Sequence, residues 1–135
     1  MEDRVLVEQG LPSRSLGSDA AALFGVFDGH AGDATARFAE AGMAPAVLRH
    51  LDGGGGGGPV TGPCPGGLRE ALARAFLAVD AGFCTDREFA PELRSGAGCT
   101  ALVVAFDGRD KLVAANLVRS RGRSRGGKGR EREGE

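Results

Sequence analysis

The pattern of hydrophobic and polar positions predicts short strands at both ends of residues 1–118, with helices between them. Four apolar runs are too short for helices and predict strands: 4–9, 21–27, 99–106 and 111–118. The second run ends at Asp28-Gly29, a dipeptide that favours a turn. The last two runs surround Asp107-Gly108, and an Asp-Gly dipeptide between apolar runs is a strong β-hairpin signal.

Two longer segments have apolar residues at helical spacing. Residues 34–51 follow Asp33, whose side chain suits a helix N-cap, and they predict one helix with a weak middle, where Gly42 and Pro45 kink or interrupt it. In residues 67–83 the apolar side chains fall on one face of a 3.6-residue repeat. The order strand, strand, helix, helix, hairpin predicts an α+β fold.

Two segments have compositions that do not suit a packed fold. Residues 52–67 contain six consecutive glycines and predict a flexible linker insert. Residues 119–135 carry seven basic residues, three glutamates and no apolar residue, and they predict a disordered basic tail. Residues 1–118, with ten basic and fifteen acidic residues, form the predicted domain.

Overall composition indicates one soluble domain with a thin core. The chain has 135 residues, of which 41% are hydrophobic, but it contains no Trp and no Tyr. Its three cysteines have no CxxC spacing, so they give neither a disulfide framework nor a zinc pattern. No apolar run is long enough to span a membrane. We therefore expect no membrane association and a location inside the cell, in the cytoplasm or nucleus.

The residues with candidate chemistry lie at the beginning of the chain and after the second predicted strand. Asp28-Gly29-His30 can be an ordinary turn with a solvated histidine, or a site where a ligand approaches flexible backbone closely. If the first two strands lie side by side, Glu2 and Asp3 come near Asp28. Clustered carboxylate and carbonyl oxygens are the ligands of hard divalent cations.

Four sequence blocks give this arrangement a specific resemblance. They occur in order along the chain: MED at 1–3, FGVFDGHAG at 24–32, SGAGCTALVVA at 95–105 and KLVAAN at 111–116. In order and approximate spacing they resemble the metal-dependent protein phosphatases of type 2C. The resemblance implies a four-layer α-β-β-α sandwich, present here only in part, with a site for two Mg²⁺ or Mn²⁺ ions at one end.

The resemblance also assigns roles to five residues. Glu2 and Asp28 are implied as metal ligands, with Asp28 bridging both ions. Gly29 is implied as a ligand through its carbonyl, Asp3 as a residue that holds metal-bound water, and His30 as the general acid. The implied substrates are proteins that carry phosphoserine or phosphothreonine.

The sequence departs from the family pattern in several places. The family has an arginine three residues before MED, and after AAN it continues with Gly-Asp-Ser-Arg, whereas residues 118–121 here read VRSR. Later segments that supply further metal-binding aspartates are absent. We therefore expect a truncated, weak or inactive monomeric form of the phosphatase.

Two alternatives to an active phosphatase stay open. One is a non-catalytic fragment that binds phosphatase partners or substrates. The other is RNA binding through the Arg/Gly tail, which is disfavoured because no aromatic residue nearby could stack on bases. A solvated tail without a function is the favoured interpretation of that segment.

Overall fold

The described part of the chain contains four strands, two α-helices and one short 3₁₀ helix. A computed structural model describes residues 2–17, 19–53, 64 and 66–117. The elements are β1 (Arg4–Gln9), β2 (Ala22–His30), α1 (Ala34–Leu51), α2 (Gly67–Thr85), the 3₁₀ helix (Ala90–Ser95), β3 (Gly98–Phe106) and β4 (Leu112–Leu117). The predicted tail 119–135 and most of the predicted insert 52–67 lie outside the described residues, and Gly67 of that insert begins α2.

The four strands form one antiparallel sheet in the order β1-β2-β3-β4. Both α-helices cover the same face of this sheet, and the two helices also pack against each other. The largest fully buried side chains of the core come from both the sheet and the helices: Leu23, Phe27, Met43, Val47, Leu51, Leu72 and Val103. The structure thus confirms an α+β fold that corresponds to one sheet and one helical layer of the expected sandwich.

Strand β2 continues beyond the Asp-Gly dipeptide at which it was predicted to end. Asp28 pairs with Thr100, Gly29 with Cys99 and His30 with Gly98 in the β2–β3 register. Turn preference is a local tendency, and the ladder formed with β3 overrides it here. As a result, the aspartate and the histidine lie on a regular strand.

The prediction of one helix is confirmed, because α1 is continuous and neither Gly42 nor Pro45 interrupts it. Pro45 and Ala41 are both exposed. Because proline has no backbone N–H, the Ala41 carbonyl receives no helical hydrogen bond from position 45. Water can satisfy that carbonyl. The buried Met43 and Val47 on either side of the proline hold the helix against the core.

The predicted hairpin is confirmed, and its turn is organised by one side chain. Asp107 Oδ1 accepts hydrogen bonds from the backbone N–H groups of Arg109, Asp110 and Lys111, at 2.8, 3.1 and 3.0 Å. Gly108 has a φ of 85°, a conformation that favours glycine. These bonds hold the pKa of the Asp107 carboxyl below its usual value.

The second face of the sheet is not covered by any described residue. Because side chains alternate along a strand, the residues between the buried ones point away from the helices. Five large apolar side chains on this side are 40–60% exposed: Val5, Val7, Phe24, Val26 and Leu102. We call this surface the open face. Among the described residues, no helix is long and apolar enough to cross a membrane.

Candidate functional site

Asp28 and His30 lie on the same side of β2, two residues apart, at the end of the open face. Thr100 is the partner of Asp28 on β3, and Gly98 is the partner of His30. A Cβ atom at position 98 would lie 2.6 Å from His30 Nε2, so the imidazole occupies space that only glycine leaves free. The sheet therefore sets a carboxylate and an imidazole side by side, with Asp28 exposed and His30 partly buried.

Glu2 reaches the same end of the sheet from the beginning of the chain. A Cβ atom at Gly29 would lie 2.5 Å from the Glu2 carbonyl oxygen, so the close approach of the two strands requires glycine there. The backbone N–H of Gly32 donates a hydrogen bond to Glu2 Oε1 at 3.0 Å. Continuing the β1–β2 register by one residue sets Asp3 opposite Asp28.

The turn between β2 and α1 has an unusual backbone. Ala31 has a φ of 55° and Gly32 a φ of 103°, and an alanine in the left-handed region costs about 1–2 kcal/mol. Asp33 occupies the N-cap position of α1, as predicted. Its side chain makes no capping hydrogen bond, however, because the carboxylate is engaged elsewhere.

The partners of Asp33 are two arginines. Arg4 on β1 donates a hydrogen bond from one terminal guanidinium nitrogen to Asp33 Oδ2 at 2.8 Å, and Arg37 Nε lies 3.3 Å from Asp33 Oδ1. The hydrogen bond from Arg4 and the charges of both arginines hold the pKa of the Asp33 carboxyl below its usual value, against a smaller opposing effect of burial. Asp33 thereby ties the beginning of α1 to β1.

The described residues supply only part of a divalent-cation site. No three His, Cys, Asp or Glu side chains within the described ranges are gathered closely enough to hold an ion. Asp28 points from the open face, whereas the Glu2 carboxylate turns toward Gly32 on the helix side. The three carboxylates at this end of the sheet, those of Glu2, Asp3 and Asp28, therefore do not form a group that could hold an ion.

Cys99 lies on β3 at this end of the sheet, opposite Gly29 of β2. Cys99 belongs to β3, within the predicted strand 99–106. Burial raises the pKa of its thiol to about 11, and the negative charges of Asp28 and Asp80 add to the shift. Cys99 is therefore a protonated thiol at neutral pH.

Sequence reasoning missed Arg4 and Gly98 and assigned Asp33 only a capping role. Arg4 could have been suspected because it lies two residues after Glu2 and so on the same side of the strand. Gly98 belongs to one of the four blocks of the resemblance, but only the strand register shows that it lies opposite His30. The pairing of Arg4 with Asp33 joins residues 29 positions apart, and no local pattern indicates it.

The fold and the site define an α+β protein with acidic and imidazole side chains at one end of an antiparallel sheet. The family model described as Protein phosphatase 2C matches residues 1–122, and the chain belongs to this family. It is 41% identical over 93 residues to "Probable protein phosphatase 1N" of Homo sapiens, a match that covers 69% of this chain and 19% of that protein. It is 30% identical over 116 residues to "Probable protein phosphatase 2C 2" of Arabidopsis thaliana, which covers 86% of this chain and 26% of that protein. The chain thus matches about a fifth to a quarter of the length of these relatives.

Proposed function

We propose that this chain carries part of the catalytic site of a protein serine/threonine phosphatase that hydrolyses phosphoserine and phosphothreonine. Membership of the protein phosphatase 2C family and the printed names of both relatives support this proposal. The proposed form is a monomer inside the cell, in the cytoplasm or nucleus. Its three cysteines are all free thiols, which suits a reducing compartment.

The observation that carries the proposal is the side-by-side placement of Asp28 and His30 on β2. Hydrolysis of a phosphate ester needs a proton for the departing serine or threonine oxygen, and a protonated imidazole can donate it. His30 is partly exposed on the side of the open face, and Gly98 leaves room for its ring. The register holds both side chains on one rigid strand, which favours a defined geometry.

The proposal includes dependence on Mg²⁺ or Mn²⁺. Asp28, Glu2 and the Gly29 carbonyl are the proposed ligands, and Asp3 is the proposed hydrogen-bond acceptor for a water molecule. When bound, such ions act as Lewis acids that lower the pKa of water and polarise phosphoryl oxygens. Because the described donors do not converge, further carboxylates are needed to complete the site.

A second candidate function is a non-catalytic fragment that binds phosphatase partners or substrates. The observation that favours it is the same lack of a group of three ligands within the described part of the chain. Affinity for a hard cation depends on the number and rigidity of its charged ligands, so this donor set binds an ion weakly. A weak or inactive phosphatase and a binding fragment then differ in measurable phosphate release.

The test is phosphate release from a phosphoserine peptide by the purified chain, with Mn²⁺ and with a chelator. We expect release that requires Mn²⁺ and disappears in Asp28→Asn, because Asp28 is one of the two carboxylates proposed to bind the ions directly. Glu8→Gln is the matched control, since it removes an exposed carboxylate from β1 at the other end of the sheet. This control should keep the parent activity.

The same experiment tests His30 with two substrates. His30→Gln should slow release from the phosphoserine peptide much more than release from p-nitrophenyl phosphate, because nitrophenolate leaves without a proton. Equal losses on both substrates would assign His30 a structural role. Activity that persists in chelator, or in Asp28→Asn, would overturn the proposed site, and no release at all with Mn²⁺ would favour the binding fragment.

A further inference from the structure

Asp33 links three parts of the molecule that carry the candidate site. One carboxylate oxygen accepts a hydrogen bond from Arg4 on β1, and the other faces Arg37 in the first turn of α1. Arg37 is itself fixed, since its guanidinium carbon lies 5.7 Å from the centre of the Phe89 ring. Asp33 is therefore held from two sides, by a strand and by a helix.

A second link between the same segments lies one residue away. The Gly32 N–H donates to Glu2 Oε1, so consecutive residues of the turn bind side chains that are two positions apart in the chain, at Glu2 and at Arg4, the first residue of β1. Together the two links fasten the turn that follows His30 to the segment that carries Glu2.

The turn needs such fastening because its backbone is not intrinsically favourable. Ala31 and Gly32 both have positive φ values, and strained backbone persists only where the surroundings determine it. Asp33 is free for this task because its carboxylate makes no capping bond to α1. A residue that looks like an ordinary N-cap in the sequence thus has its side chain directed to β1.

We propose that Asp33 is a positioning residue that, paired with Arg4, clamps residues 30–33 against β1 and so fixes where Glu2 and His30 lie. This role deepens the proposed phosphatase function and rests on it. The clamp acts through Glu2. When the turn is held, the hydrogen bond from the Gly32 N–H restrains Glu2 Oε1, and this restraint sets the direction of Oε2. Loss of the clamp releases the Glu2 side chain.

The experiment measures hydrogen exchange of the Gly32 amide by NMR in the full chain. We expect Asp33→Asn and Arg4→Gln each to speed this exchange roughly two- to fivefold, the size typical of an ion pair whose side chains are more than a third exposed. The double variant should be no faster than Asp33→Asn alone, because that change already removes the interaction with Arg4. Asp33→Glu, which keeps the charge, should restore most of the protection.

The matched control is Glu70→Gln. Glu70 also lies at the start of a helix and pairs with an arginine four residues later, Arg74, but on α2 and away from β1. This variant should leave the Gly32 exchange unchanged. Amides of α2 should exchange at the parent rate in the Asp33 and Arg4 variants, which shows that any change is local.

A titration with Mn²⁺ separates the clamp from the proposed function. If the parent binds Mn²⁺, Asp33→Asn should weaken binding by a factor similar to its exchange effect, whereas Glu70→Gln should not. If the parent binds no Mn²⁺ but the exchange results hold, the cation proposal fails and the clamp stands. Gly32 exchange that is unprotected in the parent, or unchanged in both clamp variants, overturns the clamp whatever the titration shows.

Discussion

At the scale of single residues, the three cysteines of this chain differ in ways that alkylation can measure. A thiol reacts as its thiolate, and an ordinary cysteine has a pKa of about 8.5. Burial and the nearby Asp28 and Asp80 charges raise the pKa of Cys99 to about 11, so little thiolate exists at pH 8. Cys84 is exposed on α2.

We expect iodoacetamide at pH 8 to modify Cys84 first and Cys99 last. The rate of modification at Cys99 should be about one hundred times lower than that of an ordinary thiol. The reaction of Cys99 should accelerate steadily as the pH rises toward 11, because a raised pKa keeps the thiol protonated up to that range. Mass spectrometry of tryptic peptides over time measures each site. Equal alkylation rates at Cys84 and Cys99 would show that the beginning of β3 opens readily in solution.

The sequence indicated which candidate residues lie near each other, but not their geometry. The order of the motifs indicated Glu2, Asp28 and His30, and the structure places all three at one end of the sheet. The pattern did not show that Asp28 and Glu2 point to different sides of the sheet. That difference depends on strand register, in which a shift of one residue moves every side chain to the other face.

At the scale of elements, patterns of apolar residues predicted the existence of each strand and α-helix, and tertiary contacts decided where each one ends. The hairpin and α2 follow their local signals closely. Strand β2 passes through an Asp-Gly dipeptide because β3 offers partners for three more residues. Helix α1 passes through Pro45 because buried residues on both sides hold it in place.

Pro45 therefore lowers the stability of α1, and the packing of the buried residues on both sides of it offsets this loss. Proline is about 3 kcal/mol less favourable than alanine inside a helix, although it also restricts the unfolded chain by up to about 1 kcal/mol. We expect Pro45→Ala to slow amide exchange in α1 about tenfold or more, measured by NMR or mass spectrometry. Pro91→Ala is the control, because Pro91 lies in the first turn of the 3₁₀ helix, where proline is tolerated.

Pro91→Ala should leave α1 exchange unchanged. If Pro45→Ala speeds exchange in α1 or leaves it unaltered, the proline must contribute a contact that the helix needs. Pro45 lies on the exposed side of α1, which argues against such a contact.

At the scale of the whole molecule, the sheet is packed on one face only. The helical side is closed by alanine, leucine and phenylalanine side chains, whereas the open face presents contiguous valine, phenylalanine and leucine. Single exposed apolar residues are ordinary on protein surfaces, but a contiguous apolar patch marks a surface that associates with something. Strands β1 and β4 also lie at the edges of the sheet, where unpaired backbone groups invite further pairing.

We expect this arrangement to make the chain, expressed alone, prone to self-association and marginal in stability. The double variant Val7→Thr/Val26→Thr keeps β-branched side chains while making the open face more polar, so it should lower both the binding of the dye 8-anilinonaphthalene-1-sulfonate and the light scattering of the solution. Leu77→Ser is the control, since Leu77 is 74% exposed but lies alone on α2. That control should change neither signal, provided that circular dichroism shows unaltered helix content in all variants. If the control lowers dye binding as much as the double variant does, or if the parent gives a sharp, monomeric thermal transition without dye binding, the open face is not what limits this chain.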